Sequence, residues 1–357
     1  MATYRLAVIP GDGIGKEVIA VGLDVLRQAG RVTGRFAIQT TDLPWSCKYY
    51  LEHGAMMPAD GLSVLADHDA IYLGAVGFPG VPDHVSLRGL LIPVRQRFDQ
   101  YINLRPVRVL DGIASPLRDS RPGKIDICCV RENTEGEYVG IGGRFKRGTP
   151  DETAVETSIF TRRGIDRVAR FAFTQARRRS HRLASATKSN ALQYSMVLWD
   201  EVIADLAREF PDVEVARYHV DALAARFVTN PQSLDVVVAS NLFGDILTDL
   251  GAALQGSLGL AASGNLNPER RFPSMFEPVH GSAPDIAGRG VANPLAAVWA
   301  GAMLLDHLGE TEAARLMMYA MERVARQGPH TPDLQGTAST REVGAAVVTA
   351  LGVGSPD

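Results

Sequence analysis

The sequence predicts an α/β protein, a layered fold with much parallel sheet. Three observations point there. Short apolar runs recur at residues 6–9, 70–75, 125–130 and 234–239. Helical apolar periods alternate with them, at 165–176, 191–207, 243–254, 295–308 and 311–326. The runs have no wet face, which suits strands covered by helices on both sides. At 357 residues the chain exceeds one average domain, so two domains or one large α/β unit are expected.

Taken in order, the first run is a buried strand broken by Pro10-Gly11-Asp12-Gly13-Ile14-Gly15. A helix follows, with Val18, Ile19, Leu23, Val25 and Leu26 as its apolar stripe. The strand at 70–75 runs into a Gly/Pro-rich loop that lasts to Pro82. Pro106 pushes Arg105 out of helical geometry, so a helix carrying Arg95 must end before an extended stretch carrying Arg105. Residues 136–161 break the alternation. They are rich in Gly, Thr and β-branched residues, and 153–159 alternates like a strand with one wet face. Such a β-rich excursion suits a lid, or an arm clasping another subunit. There is no repeat or low-complexity tract.

Composition excludes several classes. Lys plus Arg is 37 against Asp plus Glu 40, a net charge of −3, which gives no reason to expect nucleic acid or an anionic membrane as partner. The one basic cluster, Arg177-Arg178-Arg179, sits at a helix end, where cations suit the dipole. Cys47, Cys128 and Cys129 show no metal spacing and read as buried thiols in a reducing compartment. No signal-peptide core opens the sequence, and nowhere do about 18 apolar residues run together. A cytoplasmic location is expected.

Five motifs carry chemistry, each with a plainer reading beside it. The Gly11-Asp12-Gly13-Ile14-Gly15 turn is GxGxG, not GxGxxG, and Lys16 is followed by Glu17 rather than Ser or Thr, so a structural turn competes evenly with a ligand contact. Arg95 and Arg105 enter from different elements and can fork a carboxylate, or make surface ion pairs. Arg131-Glu132-Asn133-Thr134-Glu135-Gly136-Glu137-Tyr138 follows a buried strand, where open α/β sheets place ligands, and Tyr138 can exchange a proton. Asp245 and Asp249 fall about 40° apart on a helix, where they repel unless a cation joins them. Hard oxygen ligands select Mg²⁺ or Mn²⁺. Finally, Glu277-Pro278-Val279-His280-Gly281-Ser282-Ala283-Pro284-Asp285 offers backbone donors, a ring and a carboxylate that suits ribose hydroxyls.

Taken together and in this order, the motifs resemble the β-hydroxyacid oxidative decarboxylase family, which contains isopropylmalate, isocitrate, homoisocitrate, tartrate and D-malate dehydrogenases. The resemblance runs from Val8 to about Thr340. It implies an isopropylmalate dehydrogenase-like two-domain α/β sandwich with a β-rich dimerisation arm. A discontinuous cofactor domain would comprise 1–100 plus 258–357. A substrate and dimerisation domain would span 101–257, with its arm at 136–161. It further implies a homodimer with shared active sites, in which Arg95, Arg105 and Arg131 hold the malate carboxylates. Asp245 and Asp249 bind the cation with Asp221 from the other subunit. Lys188, also from that subunit, acts as base at the C2 hydroxyl, and Tyr138 protonates C3. Lys188 must be neutral for this, which asks desolvation and arginine neighbours to depress its pKa. His280, Gly281, Ser282, Ala283, Asp285 and Asn293 resemble the adenosine-binding loop, and Ile14 meets the adenine side. The Asp285 carboxylate favours NAD over NADP.

Within the family, Asp83-His84-Val85-Ser86-Leu87, Phe98-Asp99-Gln100-Tyr101 and Arg131 to Gly136 look like the tartrate and D-malate branch. The alternative is 3-isopropylmalate, whose branch uses an apolar patch that Leu90, Leu91 and Ile92 would satisfy. Isocitrate is disfavoured, because Gly89 and Leu91 stand where its enzymes use Ser and Asn. Two departures mark the chain. Arg88 stands where the tartrate and D-malate branch often has Trp and isopropylmalate enzymes have Glu, and Pro93 lies inside the expected helix. A regulatory relative without catalysis should lack the tyrosine, the base or a metal aspartate, and all are present here.

Overall fold

The computed structural model describes residues 1–118 and 123–352; the tail of the expected first domain, 353–357, lies outside the described residues. The chain divides into two compact units. Unit 1 comprises Met1–Gln100, Arg105–Ile125 and Ala252–Asp357, and unit 2 comprises Tyr101–Leu104 and Asp126–Gly251.

The strands, in chain order, are β1 (Ala2–Gly11), β2 (Phe36–Asp42), β3 (Ala70–Ala75), β4 (Ile102–Arg108), β5 (Asp126–Glu132), β6 (Gly136–Phe145), β7 (Thr153–Ile159), β8 (Arg182–Thr187), β9 (Glu214–His219), β10 (Val236–Ala239), β11 (Ala262–Leu266) and β12 (Ser274–Pro278). In unit 1 the order is β2-β1-β3-β12-β11, parallel except that β11 runs against β12. The strands are apolar on both faces because both faces are covered. Ala7, Ile9, Ile71 and Leu73 pack with Leu90, Val94 and Phe98 into one core. On the alternate positions, Leu6, Val8, Ala70 and Tyr72 are fully buried. Tyr72 donates to the carbonyl of Ala297 at 2.6 Å, and its hydroxyl fills the space a Cβ on Gly22 would need. The helix Leu295–Leu308 that receives this bond is buried along almost its whole length.

Unit 2 holds β5-β10-β8-β9, all parallel. The helix Arg162–Arg177 packs across β5, β10 and β8, burying Ile165, Val168, Ala172 and Phe173. Cys128 and Cys129 lie buried on β5 as free thiols, and burial pushes the Cys128 thiol up to about 12. β6 and β7 form an antiparallel hairpin. The expected wet and dry faces of β7 are absent within one chain, since every residue of Thr153–Ile159 is exposed. No helix among the described residues is long and apolar enough to cross a membrane.

Candidate active site

In unit 2 the parallel strands deliver their chemistry at their C-terminal ends, the usual ligand position of an open α/β sheet. Arg131 is the penultimate residue of β5 and is 2% exposed. Its Nε and Nη2 both donate to Oδ1 of Asn241, at 3.1 and 2.6 Å, and Nη1 donates to Oδ1 of Asp245. Tyr138, on β6, donates its hydroxyl to the other Asp245 oxygen at 3.1 Å. The guanidinium carbon also stands 5.5 Å from the Tyr138 ring centroid, a cation–π distance. Asn241 and Asp245 share the helix Asn241–Leu254, which begins just after β10, the neighbour of β5. A Cβ on Gly244 would come 2.6 Å from Cγ of Arg131, so only glycine lets this helix close on the arginine. Burial and the Asp245 charge both push the Tyr138 phenol above its ordinary value.

Lys188 follows β8 and Asp221 follows β9, strands paired up to Thr187 and His219. Lys188 donates to Oδ1 of Asp221 at 2.6 Å, and this ion pair draws the Asp221 carboxyl below its usual range. Within one chain the neighbour of Lys188 is therefore a carboxylate. Asp249 is exposed one turn beyond Asp245. Asp221 is not brought to Asp245 and Asp249: among the described residues no three acidic, histidine or cysteine side chains are grouped to hold a metal.

In unit 1, Arg95 is buried and donates to Oε1 of Glu277 at 3.1 Å; Asn265 donates to the same oxygen at 2.7 Å. Arg105 is buried on β4. The segment 83–92 is helical. It runs through Asp83–Ser86, a wide π-helical turn at Leu87–Leu91, and Ile92–Arg97. In that wide turn the Ile92 N–H reaches back five residues to the Leu87 carbonyl. Widening the turn directly before Pro93 accommodates a residue that cannot donate and would clash with a regular helix. Leu90, one of the three residues that would furnish the apolar patch of the 3-isopropylmalate alternative, is 1% exposed and belongs to the core with Val94 and Phe98, and Leu91 leans on the same cluster. Arg88 and half-buried Ile92 remain on the outside.

The turn at 11–15 meets the loop after β12. Ile14 donates its backbone N–H to the Ser282 carbonyl at 2.9 Å, and a Cβ on Gly13 would come within 1.9 Å of that oxygen. Gly13 is therefore glycine because the loop sits on it, and Ile14 and Ser282 are placed together. Asp285 is exposed. His280 sets Nδ1 3.0 Å from the Gly281 carbonyl, while its Nε2 is buried without a hydrogen-bond partner. Burial lowers its pKa. Gly281 is exposed and Ala283 sits at φ 40°. The Asn293 side chain is engaged at both ends, by Asp333 at 3.0 Å and by the Leu295 N–H at 3.0 Å.

Sequence reasoning gave no role to Asn241, Glu277, Asn265 or Asp333. Asn241 was within reach of the rule that found Arg131, since it too lies just past the end of a parallel strand. Asp333 lies 40 residues along the chain from Asn293, and Asn265 meets Glu277 only because β11 pairs with β12.

Parallel strands with polar groups at their C-terminal ends and arginines backed by carboxylates define an α/β fold of the ligand-binding, open-sheet kind. A family model described as isocitrate/isopropylmalate dehydrogenase matches residues 5–347, and the chain belongs to that family. It is 53% identical to a probable tartrate dehydrogenase/decarboxylase of Agrobacterium vitis over 352 residues, covering 98% of this chain and 97% of that one. It is equally 53% identical to the D-malate dehydrogenase (decarboxylating) of Escherichia coli K12 over 355 residues, covering 97% and 98%. The crystal structure of isocitrate dehydrogenase from Methylococcus capsulatus matches with a TM-score of 0.87 and 34% identity, over 98% of this chain and 99% of that one.

Proposed function

We propose that this chain oxidises and decarboxylates a small 2-hydroxy dicarboxylic acid, D-malate or a tartrate, with NAD and Mg²⁺ or Mn²⁺, as a cytoplasmic homodimer. The observation that carries this reading is the Arg131–Asp245–Tyr138 cluster, in a chain similar from end to end to enzymes named for those two acids. A buried guanidinium beside a proton-bearing phenol suits a substrate that loses one carboxylate and must then be protonated.

The residues divide the work. Arg95, Arg105 and Arg131 receive the carboxylates of the acid. Tyr138, kept protonated by burial and by the charge of Asp245, delivers a proton to C3 once carbon dioxide has left. Asp245 and Asp249 are hard oxygen donors, the set a small divalent cation takes, with Asp221 of a second copy completing it. The exposed Asp285 carboxylate and the unpartnered Nε2 of His280 suit the ribose hydroxyls and base of a dinucleotide, and the same carboxylate would repel a 2′-phosphate. A nicotinamide dinucleotide bound at the His280 to Asp285 loop would supply the hydride acceptor, and a cation held by Asp245, Asp249 and Asp221 of the second copy would supply a Lewis acid for the C2 oxygen and its carboxylate. Lys188 of the second copy takes the C2 hydroxyl proton as the hydride leaves.

The hairpin supports the dimer. Ile141, Phe145, Val155 and Ile159 are all at least 36% exposed, and a lone two-stranded ribbon with such side chains is marginal in water. Burial against a second copy would remove that apolar surface from solvent.

The test is kcat/KM for D-malate, L-tartrate, meso-tartrate and 3-isopropylmalate with NAD and Mn²⁺. The expected order places D-malate or a tartrate first. A preference for 3-isopropylmalate beyond about tenfold would overturn it. NADP used as well as NAD would overturn the cofactor assignment. Co-refolding Lys188→Ala with Tyr138→Phe should regain activity, because a mixed dimer holds one intact site.

A further inference from the structure

Asp333 lies in the short turn Pro332–Leu334 of unit 1. Its carboxylate collects three donors from separate parts of the chain. Oδ1 accepts from the Thr331 hydroxyl at 2.5 Å, and Oδ2 accepts from the Ser257 hydroxyl at 2.5 Å and from Nδ2 of Asn293 at 3.0 Å. The links continue outward. Ser257 Oγ accepts the Gly259 N–H at 3.0 Å, and Oδ1 of Asn293 accepts the Leu295 N–H that opens the helix Leu295–Leu308. The fit is tight, since a Cβ on Gly259 would stand 2.7 Å from Cβ of Asn293 and 3.0 Å from Oδ2 of Asp333.

The same charge acts on His280, where it opposes the effect of burial. Nδ1 of that ring faces the Gly281 carbonyl, which can only accept, so Nδ1 carries the hydrogen in the neutral ring. Nε2 is then an acceptor, buried and without a partner in the chain. A buried acceptor left unmade is costly, and a ligand that brings a donor relieves the cost.

We infer that Asp333 is a positioning residue for the adenosine end of a dinucleotide: it locks Asn293 and the 257–259 turn in place beside the unsatisfied His280 ring. The inference rests on the cofactor reading proposed above. The complementary ligand group is a hydrogen-bond donor, such as an adenine amino group or a ribose hydroxyl. With its side chain engaged at both ends, Asn293 presents its main chain and one remaining amide hydrogen from a fixed position. Loop ordering is thereby done before binding rather than during it.

The experiment measures NAD binding by titration calorimetry, and steady-state constants, for the intact enzyme and for Asp333→Ala, Asp333→Asn and His280→Ala. Asp333→Ala should weaken NAD binding about tenfold or more, leave kcat at saturating NAD within about twofold, and leave the KM for the hydroxy acid unchanged. Asp333→Asn, which keeps the shape and an acceptor oxygen, should recover part of the loss, and it carries the test if the alanine variant does not fold. In both variants the His280 ring, followed by NMR, should titrate at a lower pH than in the parent. Unchanged NAD affinity in Asp333→Ala, or a loss in kcat equal to the loss in affinity, overturns the inference. If His280→Ala also binds NAD normally, it is the cofactor reading that has failed; if His280→Ala loses affinity and the Asp333 variants do not, only the role of Asp333 is wrong.

Discussion

Nη2 of Arg95 and Nδ2 of Asn265 converge on one oxygen of Glu277, at 3.1 and 2.7 Å, in a place where the arginine and glutamate side chains are only 9% and 11% exposed. Glu277 thus holds the guanidinium that the proposed function assigns to a substrate carboxylate. Truncating one member of a buried ion pair strands the other charge, and such truncations cost about 3–5 kcal/mol. Glu277→Ala should lose stability of that order in urea unfolding and raise the KM for the acid. Glu277→Gln, which retains an acceptor for both donors, should lose much less. Equal stability of parent and alanine variant would show that Arg95 does not depend on Glu277.

Tyr138 gives a pH prediction. Its phenol is raised by burial and then by the negative charge of Asp245, so it stays protonated through and beyond the neutral range. Tyr138→Phe should lower kcat by about 10²–10⁴, the usual contribution of a positioned proton donor, with little change in KM. Asp245→Asn removes the second cause, which makes the phenolate easier to form. The absorbance titration of Tyr138, taken as parent minus phenylalanine variant in each background, should move to lower pH when Asp245 is neutralised. No movement would mean that burial alone sets the value.

His307 makes stability depend on pH. Burial, followed by the nearby Arg270 charge, lowers its pKa from 6.5 to about 4, and its ring lies 5.6 Å from that of Phe276. A group whose pKa is depressed in the folded state contributes stability that is fully present above the unfolded value and is lost as pH falls through the folded one. The chain should therefore lose on the order of 3 kcal/mol between pH 6.5 and 4 from this residue. His307→Phe should flatten that part of the profile of Tm against pH. An unchanged slope in the variant would show that His307 does not charge on unfolding.

Much of the fold was legible because it is written in local patterns. The strand at 70–75 and the helix at 295–308 fall where the apolar runs place them, because each run is long, bounded by turn residues and covered on more than one side. The hairpin strand 153–159 was recognised as a strand but assigned a dry face it does not have in one chain. Alternation reports which side chains could be buried, not what is present to bury them. Leu90 shows the converse. Read as a regular helix or loop, it was available to substrate, but the wide turn before Pro93 rotates it into the core. The partners of Asp245 were hidden for another reason. Arg131, which donates to Asp245, lies more than a hundred residues earlier, and the spacing of carboxylates along one helix says nothing of a partner on another element.

The same wide turn sets the last prediction, which concerns Arg88. In a regular α-helix seven residues make nearly two whole turns, so Arg88 and Arg95 would share a face to within about 20°. Here Arg95 is buried and Arg88 exposed, because the extra residue in the π-helical turn at Leu87–Leu91 offsets the two by roughly a quarter turn or more. That offset lets one arginine be held by Glu277 while the other faces outward. If Arg88 contacts an anionic substrate, Arg88→Ala should lower kcat/KM for D-malate and the tartrates by about 10–150-fold, the loss expected for one charge-assisted hydrogen bond, and leave the KM for NAD unchanged. Pro93→Ala restores a backbone donor and removes the ring that a regular helix would reject, so it frees the turn to tighten and swing Arg88 away. It should reproduce the substrate defect in the same direction. An Arg88→Ala variant with unaltered kcat/KM on every acid would remove Arg88 from the site. A defect in Arg88→Ala that Pro93→Ala does not share would show that the core anchors Leu90 and Val94, not the proline, fix where the arginine points.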